Sequence, residues 1–257
     1  MDFVKICERV LSRSGGIEVY PQFIVKRSKD IMIRGKSFYA IWDEEKQLWS
    51  TDEYDVQRLV DAELYSYADE RRKTTEERVT VRSMSNFSSK SWINYRAYIS
   101  NMSDSYHQLD DRVIFSNEKV TKKDYVSHKL SYPLEACETP AYTEIMETLY
   151  DESERAKLEW AIGAIISGDS KNIQKFIVLF GDPGTGKSTF LDIVQQLFEG
   201  YYTTFEAKAL VTSSNSFATE MFRSNSLVAI QHDGDLSRIE DNTKLNSIAS
   251  HEEIIIN

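Results

Sequence analysis

The sequence is poor in the residues that build secreted, zinc-binding and membrane proteins. Its 257 residues include two cysteines, Cys7 and Cys137, and four scattered histidines. Neither cysteine lies in a C-x-x-C pair, which argues against a disulfide framework or a zinc site and favours a reducing cytoplasm. No apolar run approaches the roughly 18 residues of a membrane span, and the N-terminus MDFVKICERV lacks the basic region and apolar core of a signal peptide. We therefore expect a cytoplasmic protein with no membrane partner.

The chain also lacks an excess of positive charge. It contains 31 Lys and Arg against 41 Asp and Glu, which gives a net charge of -10 and an isoelectric point near 5.0. Any contact with nucleic acid must therefore be local rather than spread over the surface. With 41% hydrophobic residues, the chain can bury a sizeable core in one large or two modest domains.

The stretch FIVLFGDPGTGKST, residues 176–189, matches the phosphate-loop pattern G-x-x-x-x-G-K-[ST]. The apolar run 176–180 before it predicts a strand buried on both faces of a parallel sheet. After the loop, apolar residues recur at helical spacing up to Gly200, which predicts a helix with a glycine C-cap. The predicted order of strand, loop and helix is the context that a phosphate loop requires.

The chemistry predicted for this loop is the binding of ATP with Mg²⁺. Its glycines allow backbone N–H groups to surround phosphates at a helix N-terminus. Lys187 is expected on the β and γ phosphates, and Ser188 on Mg²⁺. A simple glycine turn is the alternative, and the loop alone does not separate motors from small-molecule kinases. The predicted nucleotide-binding residues are Gly181, Asp182, Pro183, Gly184, Thr185, Gly186, Lys187, Ser188 and Thr189.

A second apolar run, SLVAI at 226–230, is followed by the acidic segment QHDGD. An acidic residue at the end of a strand that neighbours the loop can hold Mg²⁺ and polarise water. Asp233 is the first candidate for this carboxylate and Asp235 the second, whereas a surface Asp-Gly turn is the alternative. The predicted catalytic residues are Lys187, Asp233 and Asp235, and the predicted metal ligands are Ser188 and Asp233.

The residues before the loop predict a mixed α and β region. Apolar spacing in 3–11 predicts a helix that Gly15 and Gly16 end, and residues 17–49 predict strands with an antiparallel hairpin. Ser50 is expected to begin a helix that ends at the basic residues 71–73, and 92–99 predicts another helix, whose aromatic residues serve core packing or stack on single-stranded bases. Paired short strands are expected in 112–131, and helices at 140–150 and 152–167.

The ATPase half resembles superfamily 3 helicases, in particular the phage, plasmid and poxvirus primase-helicase group. The resemblance rests on GDPGTGKST, on SLVAIQHDGD and on DNTKLNSIASHEEIIIN, with weaker similarity upstream. It implies a truncated α/β P-loop NTPase with an AAA+-like parallel sheet, preceded by a smaller α+β domain with a helical end. The implied domains are an accessory domain at 1–135, a helical connector at 136–170 and a partial ATPase domain at 171–257.

The resemblance also implies a function. Members of this group couple ATP hydrolysis to DNA unwinding during replication, as hexameric rings on single-stranded or forked DNA together with other replication proteins. Lys244 corresponds to a lysine in a region that contacts DNA. The implied setting is the cytoplasm of a phage-infected or prophage-bearing cell.

Two departures from this family qualify the expectation. The family usually has an acidic pair after the second motif, where this chain has Gln231, His232 and Asp233, so the catalytic base stays open. The family's DNA-contacting hairpin, sensor strand and arginine finger lie beyond the position of Asn257, so we expect this chain to bind nucleotide but to be a weak ATPase. A nucleotide-dependent switch or interaction protein is the competing hypothesis. A small-molecule kinase is disfavoured because nothing resembles an arginine-rich lid.

Overall fold

The computed structural model describes residues 1–12, 15–84, 89–101, 106–206, 226–234 and 243–250. The chain forms two compact units. The first unit contains residues 1–108 and 120–127, and the second contains residues 109–119 and 128–257. None of the helices in the described ranges combines the length and the apolar content needed to cross a membrane.

The first unit is built from two small sheets and two helices. In chain order its elements are β1 (Val4–Leu11), β2 (Gly16–Phe23), β3 (Ile31–Arg34), β4 (Ser37–Asp43), β5 (Leu48–Ser50), α1 (Tyr54–Thr74), β6 (Arg78–Val81) and α2 (Ser89–Ser100). One sheet has the order β1-β2-β6, with β1 antiparallel and β6 parallel to β2. The other sheet is antiparallel, with the order β3-β4-β5.

The helix predicted for residues 3–11 is wrong, because these residues form β1. Every residue from Val4 to Leu11 pairs with a residue of β2 in an unbroken antiparallel register. Gly15 adopts a φ of 57° and its N–H donates to the Leu11 carbonyl, while Gly16 is the first residue of β2, so the glycine pair leads into a strand rather than ending a helix. Short apolar segments fit both helical and strand periods, and here the backbone ladder with β2 decides between them.

Other helix and strand boundaries in this unit also differ from the predicted ones. The stretch 31–42 forms two strands because the chain turns at Gly35, which has a φ of 59°. Ser50 lies in β5, and α1 begins at Tyr54 after Glu53, whose side chain makes no capping hydrogen bond. The helix therefore begins four residues after the predicted start at Ser50.

The core of the first unit is formed in part by α1 and α2. Val56, Val60 and Leu64 are buried along one side of α1. On α2, the apolar side is buried in the same cluster, which favours core packing over base stacking for Trp92 and Tyr95. The two helices therefore mainly stabilise the unit.

The second unit holds the remaining elements. They are α3 (Pro140–Leu149), α4 (Glu152–Ser167), α5 (Ser170–Ile173), α6 (Lys187–Leu197), β7 (Tyr202–Thr204), β8 (Val228–Ile230) and α7 (Thr243–Ala249). The predictions for α3 and α4 are confirmed. Asp151 caps α4 by accepting from the N–H of Glu154 at 2.8 Å, and Gly168 ends it with a φ of 68°.

The paired strands predicted within 112–131 are wrong. Two backbone bonds join the segments concerned, from Leu130 to Ile114 at 2.8 Å and from Ser116 to Tyr132 at 3.0 Å. A short 3₁₀ helix at Lys122–Asp124, followed by Tyr125 with a φ of 50°, interrupts the extended backbone that a longer ladder would need.

The buried strand predicted for 176–180 is also wrong. Residues 174–182 belong to no helix or strand, and Phe176, Ile177, Val178 and Phe180 are 58%, 56%, 55% and 99% exposed. A strand of this kind requires hydrogen-bonding neighbours, and no strand within the described ranges pairs with this run. The strand predicted at 226–230 is confirmed as β8, and it pairs in parallel with β7. The larger parallel sheet stays a prediction.

Candidate nucleotide-binding site

The loop 181–186 leads directly into the N-terminus of α6. Gly184 and Gly186 have φ values of 81° and 85°, in the left-handed region that glycine adopts without steric cost. Gly186 is the N-cap of α6 and has no side chain to satisfy the first N–H groups of the helix. Its carbonyl accepts the N–H of Phe190 at 3.0 Å, which closes the first helical turn. This end of α6 therefore presents backbone donors and a positive dipole end to an anion.

Lys187 folds back over the loop. Its Nζ donates to the carbonyl oxygens of Gly181 at 2.8 Å and Asp182 at 2.7 Å, and it lies 3.4 Å from Thr185 Oγ1. Thr185 Oγ1 in turn donates to the carbonyl of Asp182 at 2.9 Å. The ammonium group thus sits in the concave side of the loop, held by neutral oxygens. Phosphate oxygens are stronger acceptors for an ammonium group than carbonyls are, because they carry charge.

The end of α3 supports the loop from outside. Tyr150 is the C-cap of α3, and its hydroxyl donates to the carbonyl of Gly186 at 2.7 Å. A Cβ added to Gly186 would lie 2.8 Å from Leu149 Cδ1, so the loop and the end of this helix approach closely. Burial, followed by the negative charge of Glu154, raises the pKa of Tyr150, so the phenol stays a protonated donor at neutral pH.

Sequence reasoning missed Tyr150 as a site residue. The residue was expected only as the last position of a helix, and 36 residues separate it from Gly186. A tyrosine at a helix end has no local pattern that indicates what its hydroxyl will bind. Only the packing of α3 against the start of α6 brings the two residues together.

A polar contact joins the segment that follows β8 to α6. Gln195 Nε2 lies 2.9 Å from His232 Nε2. Asp233 follows His232, has a φ of 50° and is exposed. Its carboxylate makes no hydrogen bond or ion pair within the part of the chain that the structure describes, and the same holds for the exposed hydroxyl of Ser188.

The structure describes no side chain for two further predicted residues. Asp235, the second candidate for the metal carboxylate, falls in the undescribed range 235–242. Lys244 belongs to α7, but its side chain is not among those described. Their predicted roles stay predictions. A hydroxyl from Ser188 and a carboxylate from Asp233 are the hard oxygen ligands that Mg²⁺ prefers, so the described residues fit this ion chemically.

Comparison with known proteins adds one match. A family described as a family of unknown function (DUF5906) matches residues 179–257. The matched region includes the phosphate loop, α6 and the segment with Asp233, and it excludes the first unit. No curated protein matches the chain.

Proposed function

We propose that residues 181–189 bind ATP together with Mg²⁺, and that the chain is the ATP-binding part of a replicative DNA helicase similar to superfamily 3. The observation that carries nucleotide binding is the position of Lys187, whose ammonium group lies inside a loop that begins a helix. The backbone of the loop already surrounds the ammonium group of Lys187. The phosphate oxygens of a triphosphate would replace the backbone carbonyl oxygens as hydrogen-bond partners of this ammonium group.

Each residue of the loop has a distinct part in this proposal. The N–H groups at the start of α6 and the Lys187 ammonium hold the phosphates, while Gly184 and Gly186 supply the left-handed backbone that the loop requires. Ser188 and Asp233 would hold Mg²⁺, which would neutralise charge on the phosphate oxygens. Asp233 and Asp235 stay the candidates for orienting the attacking water.

The helicase proposal rests on the order of its motifs. The phosphate loop, the segment of Asp233 and the segment containing Lys244 follow one another as in superfamily 3. Under this proposal the chain acts on single-stranded or forked DNA, as a homo-oligomeric ring and with other replication proteins. The competing proposal is a nucleotide-dependent switch that unwinds nothing.

Calorimetric titration with MgATP tests nucleotide binding. Replacing Lys187 by alanine removes charged hydrogen bonds worth about 1.5–3 kcal/mol, so we expect affinity to fall about 10- to 150-fold. Lys175→Ala is the matched control, because it removes an exposed lysine from the same unit outside the loop. Equal affinities for wild type and Lys187→Ala would refute the site.

Hydrolysis assays separate the two proposals. Stimulation of ATP turnover by single-stranded DNA supports a helicase. MgATP binding with turnover that DNA leaves unchanged supports the switch.

A further inference from the structure

The first unit carries a basic segment that contrasts with the acidic chain around it. Residues 26–36, KRSKDIMIRGK, contain five cations and one carboxylate, whereas acidic residues outnumber basic ones in the whole sequence. All five cations are exposed. These cations lie in the loop before β3, at the end of β3, and in the turn between β3 and β4. β3 is the outer strand of its sheet. The five cations are Lys26, Arg27, Lys29, Arg34 and Lys36.

The nearby carboxylates leave most of this charge uncompensated. Asp30 is buried, forms an ion pair with Lys122 and accepts the backbone N–H of Asp2 at 2.6 Å. Asp2 accepts from the Ser28 hydroxyl and from the backbone N–H of Lys29. Within the described part of the chain, Lys26, Lys29, Arg34 and Lys36 form no ion pair. Arg27 is not counted among these four cations. The segment is therefore a concentrated local source of positive potential.

Two tyrosine rings lie beside the turn of this segment. The guanidinium carbon of Arg34 is 4.8 Å from the centroid of the Tyr106 ring, and the Tyr39 ring meets Tyr106 edge-on at 4.7 Å. Both rings are half-buried, so part of each is accessible to solvent. A Cβ added to Gly35 at the tip would meet nothing within 4 Å, so the tip is open. The turn thus combines a flat cation with aromatic surfaces.

We propose that the basic segment 26–36, together with Tyr39 and Tyr106, forms a contact surface for single-stranded nucleic acid. Lysine and arginine side chains neutralise phosphates, while aromatic rings and guanidinium planes stack on bases of any sequence. A duplex offers the same phosphates but keeps its bases stacked inside, so it cannot use the rings. The surface belongs to the unit that does not contain the phosphate loop. Its loss and the loss of nucleotide binding are therefore separable.

The test is a fluorescence anisotropy titration of the 257-residue chain, without nucleotide, using labelled dT16 at several salt concentrations. The double variant Arg34→Gln/Lys36→Gln should bind more weakly and lower the slope of log affinity against log salt by about 1.4, since each phosphate contact on a single strand contributes about 0.7. Tyr106→Ala should weaken binding about 5- to 160-fold with little change of slope, because it removes stacking rather than charge.

Matched controls separate the effect of this surface on dT16 binding from the effect of charge elsewhere on the unit and from the effect of the phosphate loop. Lys5→Gln/Lys73→Gln removes the same charge from exposed positions of the same unit and should leave affinity and slope unchanged. Lys187→Ala should also leave dT16 binding unchanged while it weakens MgATP binding. Parallel titrations with rU16 show whether the strand is RNA or DNA, because both share phosphates and stackable bases.

Two results would overturn the proposal. One is dT16 binding that the Arg34→Gln/Lys36→Gln variant leaves at wild-type affinity and slope. The other is a duplex of equal length that binds as tightly as dT16 and loses nothing in the Tyr106→Ala variant. If Tyr106→Ala does not fold, the exposed Arg34 and Lys36 positions still decide the outcome.

Discussion

Replacing Tyr150 by phenylalanine tests whether the end of α3 positions the phosphate loop. The change removes one hydroxyl and keeps the ring, so the apolar contacts at the end of the helix survive. What is lost is the hydrogen bond to the carbonyl of Gly186, which is 2.7 Å long. That same carbonyl accepts the first helical bond of α6 from Phe190, so the phenol holds the residue on which both loop and helix depend.

The size of the effect follows from the kind of bond. A neutral hydrogen bond contributes about 0.5–1.5 kcal/mol, because water competes for both partners. If the whole contribution is felt at the loop, MgATP affinity should fall about 2- to 13-fold. This is smaller than the loss expected for Lys187→Ala, since the phenol contacts the loop backbone and not the phosphates.

Calorimetric titration measures the MgATP affinity of each variant, and urea unfolding measures its stability, so an effect on the loop is separated from an effect on folding. Tyr142→Phe is the control, since it removes a phenol from the same helix but from its other end. Wild-type affinity in Tyr150→Phe, alongside a clear loss in Lys187→Ala, would refute a positioning role. An affinity loss shared equally by Tyr142→Phe would attribute the effect to the stability of α3 instead.

The remaining predictions concern stability, measured as the free energy of unfolding in urea. Burial alone would raise the pKa of Asp43, but backbone N–H groups and Arg58 hold this pKa below 3.8. The stability that the Asp43 carboxylate contributes is therefore present above pH 3.8 and is lost as the pH falls through the lower folded pKa. Asp43→Asn should flatten the fall of the unfolding free energy in acid. The hydrogen bond to Asp110 raises the pKa of His128 above 6.5, although burial opposes this shift. The stability that the His128–Asp110 pair contributes is therefore present below pH 6.5 and is lost as the pH rises through the folded pKa. If the unfolding free energy of His128→Gln depends on pH as the wild type does, this assignment is contradicted. Met146→Ala leaves a cavity at a fully buried position and should cost about 2–5 kcal/mol, against little change for an exposed alanine substitution.

The two ends of α4 and the glycine-rich turn before α6 were readable from the sequence because the interactions that form them are local. Asp151 caps α4 through an N–H three residues away, and Gly168 ends it by adopting a backbone that other residues avoid. Gly184 and Gly186 of the loop likewise mark positions of left-handed backbone. In each case the partner lies within one helical turn, so residue type and spacing carry the information.

Strand pairing and contacts distant in sequence were decided by the tertiary structure. The apolar spacing of residues 3–11 suited a helix, yet the ladder with β2 made them a strand. The parallel partner of β2 is β6, some 60 residues further along, and no local signal identifies it. The run 176–180 has the composition of a buried strand but lies exposed, because composition cannot supply the neighbour that a strand requires. The sequence by itself determined the glycine-rich turn before α6, because its residues are neighbours along the chain, whereas the contact from Tyr150 to Gly186 depends on how α3 packs.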